Sequence, residues 1–111
     1  MGAQEDPKDE EEKESKEIKE RIEQIKPEFS EYIIEDSFEY VPYETGKLAE
    51  SAHIDNKGNI IYNEPYAEDV YNSDRQYDTD KHNKATGHWI EKAYKDKADK
   101  WQQKLKDLIL K

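Results

Sequence analysis

Tyr40-Val41-Pro42-Tyr43-Glu44-Thr45-Gly46-Lys47-Leu48-Ala49-Glu50-Ser51 is the stretch on which the fold turns, because three of its residues restrict the backbone in different ways. Pro42 fixes its own φ and pushes Val41 out of the helical region, so a helix arriving from the amino-terminal side stops near Tyr40. Gly46 tolerates positive φ, and the Thr45 hydroxyl is placed to cap a short turn through Lys47 to Glu50. The stretch reads as a rigid corner between a helix and a hairpin, with Leu48 and Ser51 seating its far side.

On the amino-terminal side, Ile18, Ile22, Ile25 and Phe29 recur at spacings of four, three and four, and Ile33 continues the stripe. That period predicts an amphipathic helix from Ser15 to about Tyr40. Pro27 interrupts it, so the segment is either one kinked helix or two helices, the second with Pro27 in its first turn. Residues 1 to 14 lack apolar periodicity and are dominated by like charge, which predicts a disordered charged leader before a single domain over residues 15 to 111.

On the carboxy-terminal side, Asp55-Asn56-Lys57-Gly58-Asn59 is a turn cluster between Ser51 to Ile54 and the β-branched run Ile60-Ile61-Tyr62-Asn63, which together read as a β-hairpin. Tyr66 to Tyr71 suits a turn or two of helix with Tyr66 and Val70 inward. Asn72 to Gly87 is polar, and a loop of that length in a small domain is expected to serve a contact or to move. Thr86 is placed as an N-cap, and Ile90, Tyr94, Ala98, Trp101, Leu105 and Leu108 follow at helical spacing, flanked by Trp89, Ala93 and Ile109. The expected fold class is α+β: an amino-terminal helix, a small antiparallel sheet, and a long last helix packed on it.

Composition bounds the function. With 111 residues, 32% hydrophobic and 41% charged, the chain is long enough for one modest core and thin for a self-sufficient monomer, so stabilisation by partners is expected. No Cys is present, which removes disulfides, thiolate metal sites and a cysteine nucleophile. No apolar run reaches membrane-spanning length and none follows the amino terminus as a signal would, so a cytosol-like compartment or a particle assembled there is expected. A net charge of −10 disfavours binding to a phosphate backbone. The charge is segregated: residues 1 to 80 hold 24 acidic and 9 basic side chains (−15), and residues 81 to 111 hold 4 and 9 (+5). Opposite signs on two parts of one domain suit copies that meet head to tail, although a mixed surface gives the same count.

No phosphate-cradling motif is present, and His53, His82 and His88 lack helical ligand spacing. The acidic run Asp78-Thr79-Asp80-Lys81-His82 departs from a calcium loop, with Asn83 where Gly is needed. No catalytic residue, metal ligand or cofactor site is assigned.

Three segments resemble the small neck proteins of long-tailed bacteriophages, described as minor capsid, head-tail connector or tail-completion proteins. The corner Val41-Pro42-Tyr43-Glu44-Thr45-Gly46-Lys47-Leu48-Ala49-Glu50-Ser51 is similar to that family's Val-Pro-x-Asp/Glu-Thr-Gly-x-Leu-x-x-Ser signature. Gly58 to Ala67 is like its strand followed by Pro-Tyr-Ala, and Ala85 to Ala93 is like its Thr-Gly-x-x-Trp lead into the last helix. Tyr43 and the long charged amino-terminal stretch depart from the pattern. The resemblance implies a non-catalytic virion subunit, assembled in the host cytoplasm into a ring at the head-tail junction. Its neighbours would be further copies and adjacent neck, tail-terminator and head-completion proteins, and DNA would pass through without specific binding. With that analogy, Pro42, Thr45 and Gly46 hold the corner, Tyr66 and Trp89 close the small core, and Trp101 anchors the last helix. The arm from Asn72 to Gly87 is the expected subunit contact, through Asp74, Arg75, Tyr77, Asp78 and His82. The alternative from another class is an acidic DNA mimic that occupies a nucleic-acid site on an enzyme, which requires carboxylates along a continuous face of the ordered core.

Overall fold

The computed structural model describes residues 7–111. Helix α1 (Pro7–Ser37) ends in a 3-10 turn over Phe38–Tyr40; then come α2 (Lys47–Glu50), β1 (Ala52–Ile54), β2 (Ile60–Tyr62), α3 (Ala67–Tyr71) and α4 (Trp89–Leu110). The fold is α+β. The molecule is elongated, 72 × 28 × 25 Å, because α1 and α4 lie along one another and carry most of its length.

Helix α1 starts eight residues before Ser15, at Pro7, where the missing amide is harmless and the Glu- and Lys-rich sequence favours helix. Of the expected leader, residues 7 to 14 are therefore helical, and residues 1 to 6 lie outside the described part. The helix is also continuous through Pro27, so of the two readings the segment follows the single helix. The hairpin turn docks at that point: a Cβ on Gly58 would lie 3.3 Å from Pro27 Cδ and 3.1 Å from Lys26 Cγ. Ser30 Oγ donates to the Gly58 carbonyl (2.7 Å) and Lys26 Nζ to Asn59 Oδ1 (2.6 Å). Gly58 has φ 81°, which an L side chain adopts only at a cost, so this turn depends on glycine for both conformation and space. The hairpin register pairs Ala52 with Tyr62 and Ile54 with Ile60.

The core gathers Tyr40, Val41, Leu48, Ala49, Ala67, Trp89, Ala93 and Trp101. Trp89 is its centre, edge-on to Tyr62 (5.1 Å between centroids) and to Tyr71 (4.6 Å). Through Trp89, α4 meets the hairpin. The inward stripe on α4 differs from the expected one: Trp89, Ala93, Trp101 and Leu108 are buried, whereas Ile90 is half-buried and Tyr94 is 44% exposed. The cause is Lys97, whose non-helical backbone (φ −124°, ψ 24°) advances the stripe by one residue between Ala93 and Trp101.

Lys97 bends where it meets Asp36. Its Nζ donates to the Asp36 carbonyl (3.0 Å) and approaches Oδ1 at 3.4 Å; Lys100 Nζ reaches Oδ1 at 2.9 Å, and the Trp101 indole donates to Oδ2. Burial alone would raise the Asp36 pKa, but the indole and the two ammonium groups outweigh it and hold the carboxyl below its usual value. At the other end of the pair, Arg21 donates to the carbonyls of Leu108 (3.1 Å) and Lys111 (3.0 Å), satisfying groups that the end of α4 leaves unbonded.

Because the Asp36 pKa is lowered on folding, its contribution is present above the unfolded carboxylate value and is lost as pH falls through the folded one. Asp36→Asn is expected to destabilise the protein by about 2 to 3 kcal/mol at neutral pH. In urea unfolding, that difference should shrink as pH is lowered below the ordinary carboxylate range and the wild-type carboxyl takes up its proton.

Candidate functional site: the corner and the arm folded over it

The corner forms because each of its turns has one permitted conformation. Val41 is extended (φ −78°, ψ 131°) ahead of Pro42, and Gly46 is left-handed (φ 87°) as the N-cap residue of α2. Thr45 stands one residue earlier, its Oγ1 accepting from the Lys47 amide at 3.4 Å. Glu50 N donates to Gly46 O (2.9 Å), and Ser51 Oγ donates to Leu48 O (2.7 Å), closing the turn. Tyr43 lies over Gly46 and donates its hydroxyl to Glu50 Oε1 at 3.2 Å; the carboxylate beside it raises the phenol's pKa. The large residue at this departure from the family pattern thus lies across the glycine.

The arm is not a free loop. Its second half is strapped to the body by backbone: Thr86 N donates to Tyr40 O (2.9 Å) and His88 N to Tyr71 O (2.7 Å). His88, with φ 50°, is the N-cap residue of α4, so Thr86 spends its amide on the strap and is not the cap. His82, expected at a subunit contact, is buried in its own subunit. Its ring lies 4.6 Å from both Phe38 and Tyr43, and Nδ1 donates to Val41 O at 2.8 Å. Lys84 covers the opposite side of the corner, 5.2 Å above the Tyr40 ring and 3.5 Å from Glu39 Oε1.

The first half of the arm is exposed and roofs a cleft of about 370 Å³. Pro42, Leu48 and Val70 give it apolar surface, Thr45 and Gly46 one wall, and Arg75, Tyr77 and Asp78 the roof. Tyr77 is fixed by a bond from its hydroxyl to Val70 O (3.4 Å), and Arg75 lies 5.7 Å over its ring. Tyr66, expected to close the core, instead lines the cleft at 42% exposure; Tyr62 and Tyr71 fill the place beside Trp89. The sequence pattern fits either side for Tyr66, because Pro65 sets the angle at which α3 begins. Asp74 stands outside the cleft, 4.0 Å from His88 Nε2, and Ser51 does not line it. Trp89 and Trp101 are core, 1% and 3% exposed.

The cleft therefore has an apolar floor with charged groups of both signs at its rim. Among the described residues, no group of three His, Cys, Asp or Glu is placed to hold a metal ion. Sequence reasoning missed Asp36 and Arg21, single charges among 46 on the chain, and missed why Gly87 is glycine. A Cβ there would lie 2.0 Å from Ser73 O and 3.2 Å from Tyr71 O, both backbone atoms of the strap.

These two glycines should respond differently to alanine. At Gly46 the clash is with the movable hydroxyl end of Tyr43, leaving mainly the cost of the left-handed φ, about 1 kcal/mol. At Gly87 backbone must move and the strap must open, so Gly87→Ala should cost about 2 kcal/mol or more and lower Tm by at least about 8 °C. Thermal unfolding of both variants checks the order.

The family model described as Minor capsid protein matches residues 9–107, a span that takes in the corner, the hairpin, the arm and nearly all of both long helices. No curated protein and no solved structure matches the chain. Among the described residues no helix is long and apolar enough to cross a membrane. With the match covering all but the two ends, the chain belongs to the minor capsid protein family, a family of phage structural proteins.

Proposed function

We propose that this minor capsid protein is a ring subunit at the head-tail junction of a long-tailed phage or prophage, joining or completing the tail around the passage for DNA. The observation that carries the reading is the apolar surface this small, highly charged subunit leaves open. Ile18, Ile22, Tyr94, Ile109 and Leu110 are 39% to 82% exposed, although the chain has few large apolar residues to use. A soluble chain that leaves such residues uncovered has them for a partner. Charge segregation supports like subunits as that partner, since the acidic and basic parts occupy different elements. The ring has no chemistry to perform: it holds neighbours, admits DNA without binding it specifically, and meets head-completion and tail-terminator proteins above and below.

Contact through the arm is confined to its exposed half, Asp74 to Asp80, because His82 belongs to the core of its own subunit. The cleft beneath that half receives a neighbouring protein. The acidic-mimic alternative requires carboxylates along a continuous core face. Here residues 7 to 20 of α1 hold seven of the 28 acidic side chains, interspersed with four lysines, and α4 presents further lysines.

Light scattering over a concentration series, at low and moderate salt, should show a discrete closed oligomer that electron microscopy resolves as a ring. A protein that stays monomeric throughout, and fails to restore infectivity to separated heads and tails, would overturn the reading. Replacing Asp74 to Asp80 with a short Gly-Ser linker should abolish the ring while the circular dichroism spectrum is retained; unchanged rings would remove the arm from the contact.

A further inference from the structure

Two apolar surfaces stay uncovered along the α1–α4 pair. The first is on α1. Arg21 bonds to the carbonyl end of α4, so residues of α1 before it extend past the last residue that α4 offers. Ile18 (59% exposed) sits on this overhang and Ile22 (43%) at its root beside Ile109 of α4, with Glu14 and Glu17 alongside. The second is a groove of about 410 Å³ between α1 and α4, where Phe29 and Ile33 face Ile90, Tyr94 and Leu105.

The two surfaces fit in length, character and charge. Pro7 to Arg21 spans about 21 Å and Ile90 to Leu105 about 22 Å at 1.5 Å per helical residue. Residues 7 to 20 carry seven acidic and four basic side chains, whereas residues 89 to 111 carry four acidic and seven basic. Gln102 forms the groove's outer wall with Tyr94, which it bonds across the break at Lys97 (3.1 Å); the exposed Lys106 stands one turn after Gln102, and the exposed Lys95 stands next to Tyr94. The overhang cannot reach its own groove, because Arg21 ties it to the far end of α4, about 21 Å along the helix from Tyr94.

We infer that the amino-terminal half of α1 from one copy lies in the α1–α4 groove of the next. Ile18 and Ile22 pack into the groove between Tyr94 and Leu105, and the acidic run that includes Glu14 and Glu17 lies along the exposed lysines of α4, Lys95 and Lys106 among them. This is helix-in-groove recognition between unlike surfaces of like subunits, the head-to-tail contact that closes into a ring. The inference rests on the ring reading and names its subunit contact.

The chain contains no Cys, so introduced thiols report one contact. Ile18→Cys and Tyr94→Cys proteins, made separately and mixed under mild oxidation, should give the mixed disulfide dimer in clear excess over either homodimer. Glu14→Lys with Glu17→Lys, on exposed positions, should weaken self-association by about tenfold or more at low salt without changing the circular dichroism spectrum. Adding Lys95→Glu and Lys106→Glu to the same chain should restore it. Wild-type oligomers that form while the mixed disulfide stays at statistical yield and the charge reversals change nothing would overturn this contact and leave the ring reading standing. A wild-type chain that never self-associates would overturn this contact, and if it also fails to restore infectivity to separated heads and tails it would overturn the ring reading as well.

Discussion

The Asp36 carboxylate is the constraint on which the rest of the structure depends. It sits at the last turn of α1 and is 12% exposed, and it takes donors from three residues within five positions of α4. An indole N–H and two ammonium groups on one acceptor leave little freedom in how the helices slide. A carboxylate so placed would be costly to bury without them, so the interaction fixes register more than it adds stability. With Arg21 bonded to the far end of α4, the antiparallel pair is pinned at both ends. The groove on one face and the overhang at one tip are consequences of that register.

The same contact explains where the sequence was legible. The corner and the hairpin could be read because their determinants are local: Pro42 ends a helix, Gly46 and Gly58 take positive φ, and β-branched residues flank the turn. A rule of backbone conformation acts at one position and does not wait for a partner. The register of α4 could not be read, because the residue that shifts it, Lys97, bends toward a carboxylate 61 positions away. Periodicity assumes an even helix, so it placed Ile90 and Tyr94 inward and Trp89 and Ala93 on the flank. His82 failed for a related reason: a polar loop residue reads as exposed until the two rings that enclose it, from Phe38 and Tyr43, are brought beside it.

Pro27 and the amino-terminal helix show the limits of local rules from the other side. A proline inside a helix removes one hydrogen bond and crowds the preceding turn, a cost of about 3 kcal/mol in an isolated helix. Here that turn of α1 is held by the hairpin through Ser30 and Lys26, with the Gly58 backbone packed against the proline ring. Tertiary contact keeps the helix whole where propensity alone divides it. The charged run from Pro7 is the opposite case, a Glu- and Lys-rich sequence that favours helix by propensity.

That unequal support bears on how the subunit behaves before and after assembly. A helix of Glu and Lys with two isoleucines, projecting past the body, is marginal alone, because isolated helices of this length gain little from propensity. Seated in a neighbour's groove it would gain apolar burial on one face and opposite charges on the rim, so assembly and completion of the helix become one event. Pairing the acidic overhang with the basic last helix does not alter the net −10 of each subunit. The surplus acid must therefore stand on surfaces that the contact leaves open. At a Debye length of about 8 Å in physiological salt, such charge acts only close to the wall. In the proposed ring, a wall of that kind would repel a passing polyanion at short range and hold it nowhere, as a passage rather than a binding site requires.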